Sequence, residues 1–286
     1  MIRALYVPVC GTLPHARSFL RMARARTSIA AAIIAGLLAG GARAMPPVTV
    51  PAIACQDPTA GHASMPFGSA VHADIPAALA PNLAFYADTV RRGASFAPAG
   101  WVCRINLFPD VYDIEIVPDL ATFIGFSQTP PWQQPMVSEQ LLSADGALPE
   151  RLSFNALGVA LFPRSFPGGA GRWLGRPLHD AGHDLSASAL KTLLPVGPHD
   201  VVTRKSDTLI EFMTPAGAQG LGTTGAGGGL VAPAYPVYGV AGLSHPADGS
   251  PAIIEVFEFR LPPAFEALRK PLMTLAEQQV TRDFQE

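Results

Sequence analysis

Trp101-Val102-Cys103-Arg104-Ile105-Asn106-Leu107-Phe108-Pro109-Asp110-Val111-Tyr112-Asp113-Ile114-Glu115-Ile116 is the stretch that decides the fold class. Trp101, Cys103, Ile105 and Leu107 alternate with Val102, Arg104 and Asn106. After the turn signal Pro109-Asp110 the alternation resumes, with Tyr112, Ile114 and Ile116 set against Asp113 and Glu115. A period of two sends successive side chains to opposite faces, so each run predicts a strand with one buried face. Two such runs around a short turn pair as an antiparallel hairpin. Trp101 and Cys103 share its core face.

The same pattern recurs downstream. Residues 201–203 and 208–213, joined around Ser206-Asp207, predict a second hairpin, and 236–243 with 252–260 a further strand pair across the loop 244–251. Residues 82–92 predict a short helix with Asn82 as N-cap and Gly93 just past its end. Between 130 and 180, proline and glycine punctuate what reads as short helices and loops. Residues 186–194 predict a two-turn helix capped by Asp184 and stopped by Pro195. Pro262-Pro263 opens a C-terminal helix that Pro271 kinks or restarts. Strands that neighbour in sequence with few crossover helices predict an α+β fold: mainly antiparallel sheet built from hairpins, with short helices and a C-terminal helix.

The N-terminus reads as a leader. Arg17, Arg21, Arg24 and Arg26 precede an apolar run over 29–38, and Ala42-Arg43-Ala44 forms an A-x-A cleavage site. A basic region, a short apolar run and small residues at the cut are the marks of a secretory signal peptide. The apolar run falls short of the roughly 20 residues that a spanning helix needs. Residues 1–44 are therefore expected to be a signal peptide, with Met22 as an alternative start. Residues 45–75 read as an extended Pro-rich arm and 76–286 as a single globular α+β domain. The expected location is the periplasm or the exterior, with no stable membrane insertion after cleavage.

Charge narrows the partners. The leader holds six of the 20 basic residues and none of the 22 acidic ones, so the remainder carries 14 against 22, a net charge of −8. Phosphate recognition runs on clustered Lys and Arg, so nucleic acid is not an expected partner. Anionic lipid surfaces are disfavoured on the same ground. Of three cysteines, Cys55 and Cys103 lie beyond the leader. In an oxidising compartment that pair predicts one disulfide, tying the Pro-rich arm to the body.

Three short motifs stand in order: Ala97-Pro98-Ala99-Gly100-Trp101-Val102-Cys103 (A-P-x-G-W-x-C), Thr214-Pro215 followed by Gly220-Leu221-Gly222-Thr223 (T-P…G-L-G-T), and Arg260-Leu261-Pro262 (R-L-P). Over about residues 95–270 this order resembles a family of uncharacterised exported bacterial proteins, chiefly proteobacterial. The glycine extension after Thr223 departs from that pattern. The resemblance implies an exported bacterial globular protein and names no catalytic residue.

Several groups have the chemistry for a site. His179-Asp180, His183-Asp184 and His199-Asp200 are His-Asp pairs, and imidazole and carboxylate can together hold zinc or another transition metal. A metal centre requires His179, His183 and His199 to converge within bonding distance, about 2.0–2.1 Å from the ion. Otherwise the pairs are loop turns in which Asp bonds local backbone. Ser188-Ala189-Leu190-Lys191 matches S-x-x-K, yet the K-T-G and S-x-N partners of that chemistry are absent. Gly220-Leu221-Gly222-Thr223-Thr224-Gly225 formally fits G-x-G-x-x-G, but Pro215 breaks the approach and Gly227 to Gly229 stand where a helix must begin. The tract 217–229 reads instead as a surface loop, with Gly220, Gly222, Thr223 and Gly225 as its contact residues. Asp113 with Glu115, and Glu255 with Glu258, are carboxylates that solvated strand faces account for.

No complete catalytic constellation is legible. The expectation is an exported soluble protein with a non-catalytic binding or envelope-associated role, its partner a small molecule or a protein. The alternatives are a metal-dependent hydrolase on the His-Asp pairs, and an interaction or inhibitor protein using the loop 217–229.

Overall fold

A computed structural model of the chain describes residues 47–55, 69–88, 93–108, 111–119, 134–144, 148–166, 179–180, 183–184, 196–223, 232–244 and 251–283. The leader, the expected helix over 186–194 with its Ser188 and Lys191, and the glycine tract beyond Thr223 lie outside them.

The fold is α+β, with antiparallel pairing dominant. Strand β1 (Val48–Ala54) pairs antiparallel with β2 (Ala70–Ala73) and parallel with β3 (Leu83–Ala87), which pairs antiparallel with β4 (Ala94–Pro98). This gives a four-stranded sheet in the order β2-β1-β3-β4. Within the extended arm expected over 45–75, Val48–Ala54 and Ala70–Ala73 are strands. The helix expected over 82–92 is corrected. Residues 77–82 form a 3-10 turn and Leu83–Ala87 is a strand, its Leu83, Ala84, Tyr86 and Ala87 wholly buried. Helix-tolerant residues are held extended here because both neighbouring strands supply ladder partners.

The larger sheet has seven strands, all antiparallel. Strands β5 (Val102–Phe108), β6 (Val111–Val117) and β7 (Met136–Ser143) form one meander. Two-residue strands β8 (His179–Asp180) and β9 (His183–Asp184) pair with each other elsewhere. Strands β10 (Val201–Arg204), β11 (Leu209–Thr214), β12 (Val237–Ser244) and β13 (Ile253–Arg260) form the second meander. The two meanders join through their last strands, β7 against β13, giving the order β10-β11-β12-β13-β7-β6-β5. The hairpins expected at 101–116, 201–213 and 236–260 are all present. Strand β7 lies where short helices and loops were expected, and it is central.

Each face of the large sheet has its own core. On one, Cys103, Ile105, Ile114, Ile116, Val137, Val240, Phe257 and Phe259 pack with the small sheet and the C-terminal helix. On the other, helix α1 (Leu148–Leu161) and Phe162 cover Leu142, Ile210, Phe212, Leu243 and Ile254. The C-terminal helix follows a 3-10 turn, Pro263–Leu268, and α2 spans Arg269–Asp283. Pro271 falls in the first turn of α2, where its missing N–H costs no intrahelical bond. Leu268, Leu272, Leu275, Ala276, Gln279 and Val280 are buried at helical spacing. Within that stripe Gln279 Nε2 donates to the Ala94 carbonyl at 2.6 Å, which docks α2 on β4.

The three sequence motifs prove to be fold devices. Gly100 takes φ +81° in the turn from β4 to β5, a conformation open to glycine at little cost. Beside it the Tyr86 hydroxyl reaches the carbonyls of Pro98 (2.9 Å) and Trp101 (3.0 Å), and burial pushes its pKa up to about 12. Trp101 meets Phe265 edge-on at 5.6 Å between ring centroids. Cys103 bonds Cys55 across a separation of 48 residues, closing a loop worth about 4 kcal/mol in the chain-entropy account. Arg260 is buried and lies 3.4 Å from Glu258, Leu261 is core, and Pro262 leads into the 3-10 turn.

Candidate ligand-binding site

A cavity of about 620 Å³ opens where α2 passes the edge of the small sheet. Its apolar lining is Phe96 of β4, Ala73 of β2, Leu209 of β11 and Leu275 of α2, with Pro47 alongside. The polar lining is His72, Asp74, Glu277, Gln278, Thr281 and Arg282. The helix supplies most of it because 275, 278 and 282 recur on one face, with 277 and 281 beside them. Phe96 is buried and stacks tilted on Phe85 at 4.9 Å, so its place is fixed from behind. At the rim, His72, Asp74, Thr281 and Arg282 are exposed. His72 Nδ1 hydrogen-bonds with Thr49 Oγ1 at 3.3 Å, and Thr281 Oγ1 donates to the Glu277 carbonyl at 2.7 Å.

Glu277 is the wall's distinctive group. Lys205 Nζ lies 3.1 Å from Glu277 Oε1 and 3.0 Å from Glu211 Oε1, bridging the two carboxylates. Burial, then a hydrogen bond with Glu211, pushes the Glu277 pKa up, while that bond pulls Glu211 down. Two carboxylates thus share the single ammonium of Lys205. A volume of this size, lined by five apolar and six polar residues, falls in the range of small-molecule pockets, about 300–1,000 Å³.

A second concentration of charge is buried in the large sheet. Arg104, Glu115, Ser138 and Glu258 are successive register partners on β5, β6, β7 and β13, so they form one row on the α1 side. Asp113 and Arg260 flank the row on the same face. Arg104 grips Glu115 Oε2 at 2.9 and 2.7 Å. Asp113, Glu115 and Glu258 are all under a tenth exposed, so the solvated strand faces expected for them are not what the fold provides. Glu255, also buried, points to the opposite face. Asp113 Oδ1 has no hydrogen-bond partner among the described residues. Burial first, then Glu115 and Glu258, raises the Asp113 pKa well above the carboxylate range, and burial raises Glu258. The row and its flanks set two guanidiniums, Arg104 and Arg260, against three carboxylates, all buried except the partly exposed Arg104. Among the described residues, no group of three metal-ligating side chains is assembled here or elsewhere.

The sequence-derived candidates fall elsewhere. His199 is exposed, and Asp200 beside it is the centre of a hydrogen-bond knot. Asp200 accepts from Gly197 N (2.7 Å), Leu221 N (2.8 Å) and Thr214 Oγ1 (2.6 Å), and Thr214 Oγ1 accepts from Gly222 N (3.0 Å). A Cβ on Gly220 would strike the Asp200 carboxylate, and one on Gly222 would strike Val237. Residues 220–222 are therefore buried structure and not contact surface. Thr223 closes their 3-10 turn, and Gly225 lies outside the described residues. His179 and His183 lie on β8 and β9, paired in register with Asp184 and Asp180, so these four residues are extended and not helical. Their side chains lie outside the described residues. The structure thus joins Asp200 to the T-P…G-L-G-T motif and leaves the pocket residues without any motif.

No protein-family model, curated protein or solved structure matches this chain. The disulfide is formed, and no helix among the described residues is long and apolar enough to cross a membrane.

Proposed function

We propose that this chain is an exported, disulfide-stapled binding protein that seats a small molecule in the cavity between β2, β4 and α2. The carrying observation is that cavity: about 620 Å³, with an apolar floor and a ring of ionisable groups above it. Export rests on the signal-peptide reading of residues 1–44 and on the Cys55–Cys103 bond, which suits an oxidising compartment. The polar groups of the Asp200 knot are already committed to one another, and the ion row, apart from Arg104, is buried away from solvent.

Saturation-transfer NMR with a mixture of small fragments tests the reading on protein expressed from the full chain and recovered from the periplasm. Thr281→Trp, from an exposed position on the rim, fills the cavity without touching the core. Fragments that bind the wild type and lose their signal with Thr281→Trp are the expected result. Binding indifferent to that substitution, or no binding at all, contradicts it.

A further inference from the structure

Resting on the binding reading, we propose that the ligand of this cavity is an organic cation: an ammonium group carried on a small apolar or aromatic body. The lining sets two carboxylates, Asp74 and Glu277, against one guanidinium, Arg282. Lys205 does not line the cavity and is shared between Glu211 and Glu277, so that trio of two carboxylates and one ammonium keeps one net negative charge beside Asp74. Arg282 bends back on its own helix, its Nε donating to the Gln278 carbonyl at 3.4 Å. The side chain of Glu277 is only a quarter exposed, so its charge is weakly screened. Phe96 offers an aromatic ring at the floor, and a ring is a good neighbour for an ammonium group and a poor one for an anion. Leu209, Leu275 and Ala73 take the apolar body.

Glu277 also gives the ligand a pH signature. The groups facing it are Glu211 and Lys205 from the β10–β11 side, with His72 and Asp74 of the small sheet and Arg282 of its own helix lining the same cavity. Burial, then the hydrogen bond with Glu211, raises its pKa, so it is neutralised at a higher pH than an ordinary glutamate, which removes one of the charges that attract a cation. Cation binding therefore strengthens as pH rises through the Glu277 titration, whereas a neutral ligand of the same shape is unaffected.

Isothermal titration with benzyltrimethylammonium, benzyl alcohol and benzoate separates the outcomes. The expected result is benzyltrimethylammonium bound about tenfold tighter than benzyl alcohol, with benzoate weakest. Glu277→Gln and, independently, the exposed Asp74→Asn each reduce that preference, and it fades as Glu277 is protonated in acid. Benzyl alcohol or benzoate binding as well as the cation, with all lost in Thr281→Trp, overturns the ligand class and leaves the pocket reading standing. Failure of all three probes overturns both. A cation preference that survives both Glu277→Gln and Asp74→Asn overturns the assignment of its recognition to these carboxylates.

Discussion

Asp113 is the residue at which sequence and fold disagree most. Alternation placed it on a polar strand face, and a polar face of an antiparallel sheet is ordinarily wet. Here the face is buried, and Asp113 stands beside Glu115 and Glu258 with an oxygen unpartnered among the described residues. Its proton is retained in the folded chain at pH values where the unfolded chain has lost it. The folded state then binds more protons, so the contribution to stability is full below about pH 4 and is lost as pH rises through the folded-state pKa. Asp113→Asn keeps the shape and carries no charge. We expect it to raise Tm at pH 7 by about 2–4 °C, the shift that goes with 1 kcal/mol in a chain this size. The gain should vanish near pH 4, which thermal unfolding across pH would show. A destabilised variant at pH 7 would mean that the ionised carboxylate is needed.

At the scale of elements, alternation revealed the hairpins because Cys103, Ile105, Ile114 and Ile116 point to one core and their neighbours do not. It failed for β7 because Ser138, Glu139 and Gln140 put polar groups on both faces of Met136–Ser143, and nothing local signals that both are covered. It failed for β3 because Leu-Ala-Phe-Tyr-Ala tolerates helix as well as strand until β1 and β4 choose for it. Helix α2 was readable from its prolines, but its buried stripe and its docking were not. Gln279 sits in that stripe and donates to Ala94 of β4, a residue 185 positions away. Gln279→Ala removes the donor and strands a buried carbonyl, costing about 1–3 kcal/mol. Chemical unfolding should show that loss, and because α2 forms one wall of the cavity, ligand binding should weaken with it. Unchanged stability would mean that the apolar stripe alone holds the helix.

For the molecule as a whole, the motifs visible in sequence turned out to build the scaffold. Gly100, Trp101 and Cys103 turn and staple it, while Thr214, Gly220 and Gly222 knot it around Asp200. The cavity has no motif because its residues come from positions 47, 72–74, 96, 209 and 275–282 and meet only when the C-terminal helix closes on the N-terminal sheet. Short-range pattern cannot register such an assembly. The central claim, that this assembly is where the protein binds, is tested most directly by amide chemical-shift mapping of the periplasmic protein titrated with benzyltrimethylammonium. Saturable shifts concentrated at His72, Asp74, Phe96, Glu277 and Arg282 are the predicted result. Saturable shifts centred instead on His179, His183 and His199, or on the Asp113 face, would contradict it.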